Sequence, residues 1–183
     1  MIVGVDNGLT GGLVAISKHT GGVIAKTAMP TKIRLRRSEI DTRRVYNWVM
    51  SLDTPFLFAV EEPLHHARSS QAVRSMGISF GKLLGLAESR EWDHCCVGVR
   101  NWQKKMLGRV AKGETKKAAL TAAAGLAPDE CWRKSKRATT PHDGMIDAFL
   151  IARYLFKKTG ILKYYINKVL IKLAFHHLQI RFG

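Results

Sequence analysis

The segment Met1–Gly12 reads MIVGVDNGLTGG, and it is the starting point for predicting the fold. An apolar, β-branched run ends at Asp6, and the Asn-Gly pair that follows has the composition of a tight turn. Two more short strand patterns follow at Gly11–Ser17 and Gly22–Met29, with turn-forming residues between them. The simplest interpretation is an antiparallel meander of three strands.

Helices and strands alternate beyond the meander. Apolar residues at helical spacing predict four helices, at Ser38–Leu52, Ser69–Arg90, Glu114–Ala124 and His142–Lys158. Continuously apolar runs predict two buried strands, at Phe56–Val60 and Cys95–Val99. This order predicts an α/β fold with a mixed five-stranded sheet, an antiparallel meander followed by parallel strands, and helices on both faces.

Glycine recurs every four residues in the second of these helices, at Gly77, Gly81 and Gly85. Because glycine lowers helix stability, we expect this face to pack closely against another backbone.

The 183 residues suit one domain, which we assign to residues 1–158. Residues 159–183 form a basic amphipathic C-terminal extension. Such a segment can pack on the body, pair with a partner or lie on a membrane, and packing or pairing is the default.

Lysine and arginine number 30 against 14 acidic residues, so the formal net charge is +16. This charge attracts polyanions, of which nucleic acid is the commonest and an anionic membrane the alternative. The three cysteines have neither disulfide nor zinc-ligand spacing. We see no signal-peptide pattern and no apolar run of ~18 residues, so we expect a cytoplasmic protein.

Two acidic residues, Asp6 and Glu61, stand at the ends of apolar strand patterns. Ligands of open α/β sheets bind at the carboxyl ends of strands, so both lie where chemistry is expected. Taken alone, Asp6 is better explained as a turn residue or helix cap. Glu61 is harder to explain structurally, because glutamate is a poor strand residue and five apolar residues precede it. Glu62 is a second-rank candidate, since strand alternation turns it to the opposite side.

A second pair of acids, Asp143 and Asp147, lies one helical turn apart and shares a helix face. Asp143 is also explained as an acid favoured at a helix N-terminus. Asp147 borders the apolar run AFLIA, where burying a lone charge is costly. The neighbouring His142 is a second-rank catalytic candidate, although a histidine beside a proline turn is more often structural.

We therefore assign Asp6, Glu61, Asp143 and Asp147 as a catalytic and metal-binding quartet. Oxygen ligands without a thiolate or histidine cluster match Mg²⁺ or Mn²⁺ rather than zinc. Two such ions at one site can activate a water and stabilise the leaving oxygen in phosphodiester cleavage. Composition and motifs suggest no small-molecule cofactor.

Three motifs together, GVDNGLTGG, AVEEP and HDGMIDAFLIA, resemble those of RuvC-type Holliday-junction resolvases, especially the phage-like branch. The resemblance covers roughly residues 1–158, with Asp6, Glu61 and Asp147 at the family's acidic positions. It implies a ribonuclease-H-like fold, a homodimer, Mg²⁺ or Mn²⁺, and paired nicks in branched DNA, above all four-way junctions. It also implies the cytoplasm of a bacterium or a phage-infected host.

Two features depart from the family pattern. The family often has an acid or histidine three residues before the last Asp, where this chain has Gly144; Asp143 is our choice for that role because it shares the helix face. The family also places an aromatic junction wedge after the Glu. The residues in that stretch here are Leu64, His65 and His66, of which leucine can wedge between bases and histidine can stack on them.

Two basic stretches resemble family segments that bind DNA near the site. Their candidate contacts are Arg100, Gln103, Lys104, Lys105, Lys112, Lys116 and Lys117. Singly each lysine is better explained as ordinary surface, but the net charge favours DNA collectively.

Two other functions compete with the nuclease. Charge alone would serve a non-catalytic DNA-binding module, but it leaves acids at strand ends unexplained. DNGLTGG also resembles the phosphate-binding turn of actin-like and sugar-kinase ATPases, which need a second such domain that a chain of 183 residues cannot hold.

Overall fold

The computed structural model describes residues 1–52, 56–63 and 70–160. The strands in these residues are β1 (Ile2–Asp6), β2 (Gly12–Ile16), β3 (Val23–Ala28), β4 (Thr31–Arg34), β5 (Arg37–Ile40), β6 (Leu57–Glu61) and β7 (His94–Val97). The helices are α1 (Thr42–Met50), α2 (Ser70–Ser89), α3 (Val99–Leu107), α4 (Thr115–Leu126) and α5 (143–160).

A five-stranded sheet with the order β3-β2-β1-β6-β7 forms the centre of the molecule. The meander β1–β2–β3 is antiparallel, whereas β6 runs parallel to β1 and β7 parallel to β6. The expected mixed sheet is therefore confirmed, and it has the ribonuclease-H-like arrangement.

Each face of the sheet carries its own apolar core, as strand alternation requires. Ile2, Val14 and Ala59 face a cluster that includes residues of α3, α4 and α5. Val3 and Val5 face the opposite cluster, which α1 and α2 complete. The sheet is thus covered by helices on both sides.

Part of the Ser38–Leu52 prediction was wrong. Ser38 lies in β5, which pairs with β4 as a separate two-stranded hairpin that the sequence reading missed. The helix begins only at Thr42, where the Asp41 carboxylate accepts a hydrogen bond of 3.2 Å from the Arg44 backbone N–H. Both Ser38 and Asp41 are good capping residues. Ser38 does not cap the helix because it pairs with β4, and this pairing also places Ile40 in the core.

A second difference concerns residues 99–107, read from sequence only as a basic stretch. They form α3, because Trp102 provides a buried anchor among exposed basic residues. This helix displaces the predicted end of the preceding strand, so β7 stops at Val97 rather than Val99.

The glycine face of α2 does not pack as expected within the described chain. A Cβ atom placed on Gly77, Gly81 or Gly85 would meet no atom within 4 Å of it. All three residues are exposed, beside the exposed apolar side chains of Val73 and Ile78.

Glycine does provide close packing between the sheet and α5. A Cβ on Gly4 would lie 2.1 Å from the carbonyl oxygen of Ala148, and one on Gly144 would lie 2.4 Å from Cα of Gly11. A Cβ on Gly12 would approach Met145 to 2.9 Å. At these glycines the backbone of α5 therefore lies directly on β1 and β2.

In the part of the chain that the structure describes, no helix has the length and apolar character needed to cross a membrane. The C-terminal extension lies outside the described residues from position 161 onwards, while α5 continues to residue 160.

Candidate active site

Asp6 ends β1 at the carboxyl edge of the sheet. Its Oδ1 accepts a hydrogen bond of 2.9 Å from the Gly8 backbone N–H, which fixes the tight turn after the strand. Burial raises the pKa of Asp6, and the hydrogen bond from Gly8 only partly opposes that effect. The residue is thus both a turn acceptor and a half-buried acid.

Glu61 ends the neighbouring parallel strand, where Val5 of β1 is in register with Val60 of β6. The side chain of Asn7, which is buried, donates a hydrogen bond of 2.5 Å to the Glu61 backbone carbonyl and ties the two strand ends together. The Trp102 indole Nε1 donates a hydrogen bond of 2.7 Å to Oε1 of Glu61. One carboxylate oxygen of Glu61 is therefore held from α3.

Asp147 enters the site from α5. The close approach of Gly144 to Gly11 and Gly12 sets the N-terminal turn of α5 against the loop and strand after Asp6. One turn further along, Asp147 reaches the same edge as Asp6 and Glu61, and their charges influence one another's pKa.

The electrostatics of the three acids are those of carboxylates crowded in a poorly solvated place. Burial, followed by the charge of Asp6, raises the pKa of Glu61 to about 8, and the hydrogen bond from Trp102 opposes this rise. Burial, followed by the charges of Asp6 and Asp143, raises the pKa of Asp147 to about 7. Like charges that cannot all ionise together favour either shared protons or a cation.

Asp143 occupies the outer end of the cluster. Its side chain is 49% exposed, and its Oδ2 forms an ion pair of 2.6 Å with Nζ of Lys116 on α4. It raises the pKa of Asp147, so it belongs to the same electrostatic group. Glycine at position 144 is explained sterically, because any side chain there would strike the backbone of Gly11.

His142 acts as the cap of α5. Its Nδ1 accepts a hydrogen bond of 3.2 Å from the Met145 backbone N–H, and its own backbone N–H donates to the Trp132 carbonyl at 2.7 Å. Burial, followed by the charge of Lys134, lowers the pKa of His142. A neutral, capping imidazole has a structural function, which favours Asp143 over His142 as the fourth acid-site group.

Glu62 is separated from the other acids. It is exposed, and its backbone N–H donates to the Val97 carbonyl at 3.0 Å. Burial, followed by the charge of Glu62, raises the pKa of the Cys96 thiol. The strand alternation that made it second-rank therefore places it on the other side of β6.

The donor chemistry of the cluster fits a hard divalent cation, because its members are carboxylates whose mutual repulsion a cation would remove. No group of three or more His, Cys, Asp or Glu side chains among the described residues is arranged to hold a metal ion. The match thus rests on the ligand type and the raised pKa values, with Asp6, Glu61 and Asp147 as the nearest set.

The candidate DNA contacts are displayed on two helices and a loop beside this edge. Three of the six basic candidates lie on α3 around Trp102, one precedes α4 and two lie in its first turn. All six are exposed, and Gln103 is half-buried. Lys116 is the member that reaches an acid of the site. Leu64, His65 and His66 lie outside the described residues.

Comparison with solved structures relates this arrangement to known proteins. Thermus thermophilus RuvC in complex with a Holliday junction substrate superposes with a TM-score of 0.57 at 19% identity, over 84% of this chain and 90% of that chain. The chain has the RuvC fold. A second Thermus thermophilus RuvC structure gives a TM-score of 0.51 at 19% identity, over 87% of this chain and 96% of that chain. No family model matches the sequence, and no curated protein is significantly similar to it.

The RuvC fold confirms the resemblance that the three motifs indicated. Two contributors to the site were missed in the sequence, namely Trp102 and Asn7. Asn7 was read only as a turn residue, yet its side chain bridges two strands. Trp102 stood in a basic segment, and the one available signal was a large apolar residue among lysines.

Proposed function

We propose that this protein is a metal-dependent, structure-selective DNA endonuclease that cleaves four-way junctions or related branched DNA in the cytoplasm. The observation that carries the proposal is the convergence of Asp6, Glu61 and Asp147, with pKa values raised by burial and mutual repulsion, at the carboxyl edge of a RuvC-like sheet. The surrounding basic helices supply positive charge suited to a polyanionic substrate.

Asp6, Glu61 and Asp147 would hold Mg²⁺ or Mn²⁺, two ions being proposed, with Asp143 at the solvent side. When bound, the ions would supply a more acidic attacking water and offset the charge on the leaving oxygen. Trp102 orients the Glu61 carboxylate, and Asn7 fixes the separation of the two strand ends. Lys116 balances the charge of Asp143 and is available to approach a phosphate.

Paired nicks require two active sites, so we propose a homodimer. Support comes from the exposed face of α2, where Gly77, Gly81 and Gly85 lie beside the exposed Val73. Glycine at these positions allows close approach of a second helix, and the apolar Val73 side chain would bury surface in that contact. We also propose that the nuclease domain ends near residue 158, where the C-terminal extension begins.

The decisive experiment incubates four-way, three-way, flap and duplex DNA with the protein and Mg²⁺ or Mn²⁺, and maps nicks on every strand. We expect symmetric paired nicks in the four-way junction. Asp6→Asn and Asp147→Asn should abolish nicking while junction binding survives, and Asp129→Asn, which changes an exposed acid elsewhere, should nick normally. Full cleavage by either site variant, or binding without metal-dependent nicking of any branched DNA, would refute the proposal.

A further inference from the structure

The β4–β5 hairpin and the N-terminal half of α2 enclose a groove of about 860 Å³ that the site described above does not use. Its walls are formed by the hairpin strands and by α2, and Leu9 also lines it. Leu9 follows Asp6 by three residues, so part of the groove lies within one short turn of the catalytic edge.

The hairpin emerges from the same edge of the sheet as the acids. Ala28, the last residue of β3, is in register with Gly12, which is in register with Asp6. The Met29 backbone N–H donates to the Gly11 carbonyl at 2.8 Å, and that of Asp41 donates to the Pro30 carbonyl at 2.9 Å. Both ends of the hairpin are therefore anchored next to the candidate active site.

The charge of the groove is strongly one-sided. Among the described lining residues, the cations are Arg34, Arg37, Arg74 and Lys82, and the one acid is Glu39. Glu39 is already paired with Lys82 at 2.7 Å and with Lys32 at 3.8 Å. Within the described residues the three arginines form no ion pair. Their charge is available to an external anion.

Hydroxyl groups accompany these cations. Ser38 from the hairpin and Ser70, Ser75 and Ser79 from α2 line the same groove. Arginine, serine and glutamine side chains are the groups that contact nucleic-acid phosphates without reading sequence. The lining thus combines cations and hydroxyl groups that can contact phosphates with apolar side chains from the hairpin and α2.

The tip of the hairpin has unusual backbone geometry. Leu35 and Arg36 both have positive φ, 49° and 60°, in a turn where glycine or asparagine would be unstrained. Leu35 is 88% exposed and Ile33 is 81% exposed. A strained turn that holds an apolar side chain in solvent, flanked by arginines, resembles the apolar wedges with which proteins enter DNA.

We infer that this groove binds the phosphate backbone of a DNA arm as it leaves the catalytic edge, and that Leu35 contacts the sugars or bases of that arm. The inference rests on the proposed function, because it takes DNA as the substrate. It adds a binding surface on the face of the sheet opposite α3 and α4, away from the basic stretches that those two helices carry.

The test compares two double variants that remove the same charge. R37Q/R74Q removes two groove cations, and R43Q/R44Q removes two exposed cations of α1 outside it. Each is made in the Asp6→Asn background, and junction binding is measured from 50 to 300 mM salt without divalent metal. Loss of two phosphate contacts should reduce the slope of log affinity against log salt by about 1.8 and weaken binding on the order of tenfold or more. The α1 variant should keep the parent slope.

Leu35→Asn tests the tip without threatening the fold, since asparagine tolerates positive φ better than leucine. Thermal stability should be unchanged or higher, while junction affinity falls on the order of tenfold. Unchanged affinity would remove Leu35 from the proposal.

The outcomes separate this inference from the proposed function. If the wild type makes paired nicks but R37Q/R74Q keeps the parent salt slope, the groove inference is wrong and the nuclease stands. If the slope falls but no branched DNA is nicked, the groove binds DNA and the nuclease proposal fails. A change in sedimenting mass with no change in slope would assign the groove to a second copy of the chain and overturn the inference.

Discussion

The indole nitrogen of Trp102 donates a hydrogen bond of 2.7 Å to Oε1 of Glu61, which joins a helix on one face of the sheet to the acid at the end of its central parallel strand. Trp102 is 1% exposed, so the donor is fixed by packing rather than by solvent. The contact favours the ionised carboxylate and orients one of its oxygens.

Replacing Trp102 with phenylalanine removes this donor while keeping an aromatic ring. Trp102→Phe should lower kcat for nicking roughly 10- to 100-fold, as expected for a residue that orients a ligand. Because the hydrogen bond lowers the pKa of Glu61, its loss should also shift the pH–rate profile to higher pH. Trp132→Phe is the matched control, since Trp132 is buried and its Nε1 has no hydrogen-bond partner among the residues that the structure describes. Equal kinetic losses in both variants would show that packing, not the hydrogen bond, matters.

The raised pKa values predict how stability depends on pH and metal. A carboxyl whose folded pKa lies above its unfolded value of about 4 destabilises the fold as pH rises from there to the folded pKa. For Asp147 and Glu61 that range extends to about 7 and about 8. Without divalent ions the Tm should therefore fall between pH 5 and pH 8, and Mg²⁺ should raise it more at pH 8 than at pH 5.

The variant Asp147→Asn isolates this effect from other titrating groups. Its Tm at pH 8 should exceed that of the wild type, with a flatter pH dependence and a smaller response to Mg²⁺. Thermal melts across this pH range, with and without about 10 mM Mg²⁺, provide the measurement. Parallel curves for the two proteins would contradict the assigned electrostatics.

Asp143 and His142 can be separated as candidates for the fourth group. Asp143→Asn should reduce nicking roughly a hundredfold, because it removes a charge from the cluster. His142→Asn should stay within about threefold of wild type, because asparagine can also accept the Met145 N–H at the start of α5. Single-turnover rates on a four-way junction decide between them, and the reverse ranking would transfer the catalytic function to His142.

The contact of Gly144 with Gly11 predicts an unequal effect of two glycine substitutions in helices. Gly144→Ala should reduce the free energy of unfolding by about 1–3 kcal/mol, since its Cβ would overlap backbone that cannot easily move. Gly125→Ala in α4 meets no atom within 4 Å and should stabilise by up to about 1 kcal/mol. Urea unfolding measures both, and similar values would mean that α5 does not lie against the sheet as described.

The exposed glycine face of α2 predicts the behaviour of a charged substitution there. Gly81→Glu should convert a dimer to a monomer and remove paired nicking, because the side chain would enter the helix contact proposed for two copies. Asn47→Glu, at an exposed position of α1, adds the same charge elsewhere and should leave the mass unchanged. Sedimentation equilibrium measures both, and a dimeric Gly81→Glu protein would place the interface on another surface.

Much of the sheet could be predicted because its signals are local. Strand alternation and turn residues define β1 to β3, and the acids at strand ends follow from the same pattern. The β4–β5 hairpin could not be predicted in this way. Its turn at Leu35 and Arg36 lacks the glycine or asparagine that usually marks such a turn. Ser38 lies in β5, although serine is also a favoured residue at the start of a helix.

The site was predicted less completely than the fold. The apolar runs beside Asp6, Glu61 and Asp147 predicted these acids as site residues. Those runs are visible in the sequence because they form buried parts of strands and a helix. Trp102 acts across 41 positions of sequence, and Asn7 across 54, so no local pattern reports either contact. The reason for Gly144 was equally hidden, because it depends on a backbone that approaches from another element.

The direct backbone contact between α5 and the strands β1 and β2 has a consequence for how the site responds to change. Side chains elsewhere in the two cores can be exchanged for others of similar volume, and helices resting on them shift accordingly. Where backbone contacts backbone, there is no side chain that a substitution could change. The distance between Asp6 and Asp147 is therefore unaffected by such shifts. The three glycines Gly4, Gly12 and Gly144 thus fix the spacing between the strands and the helix that carry the acids.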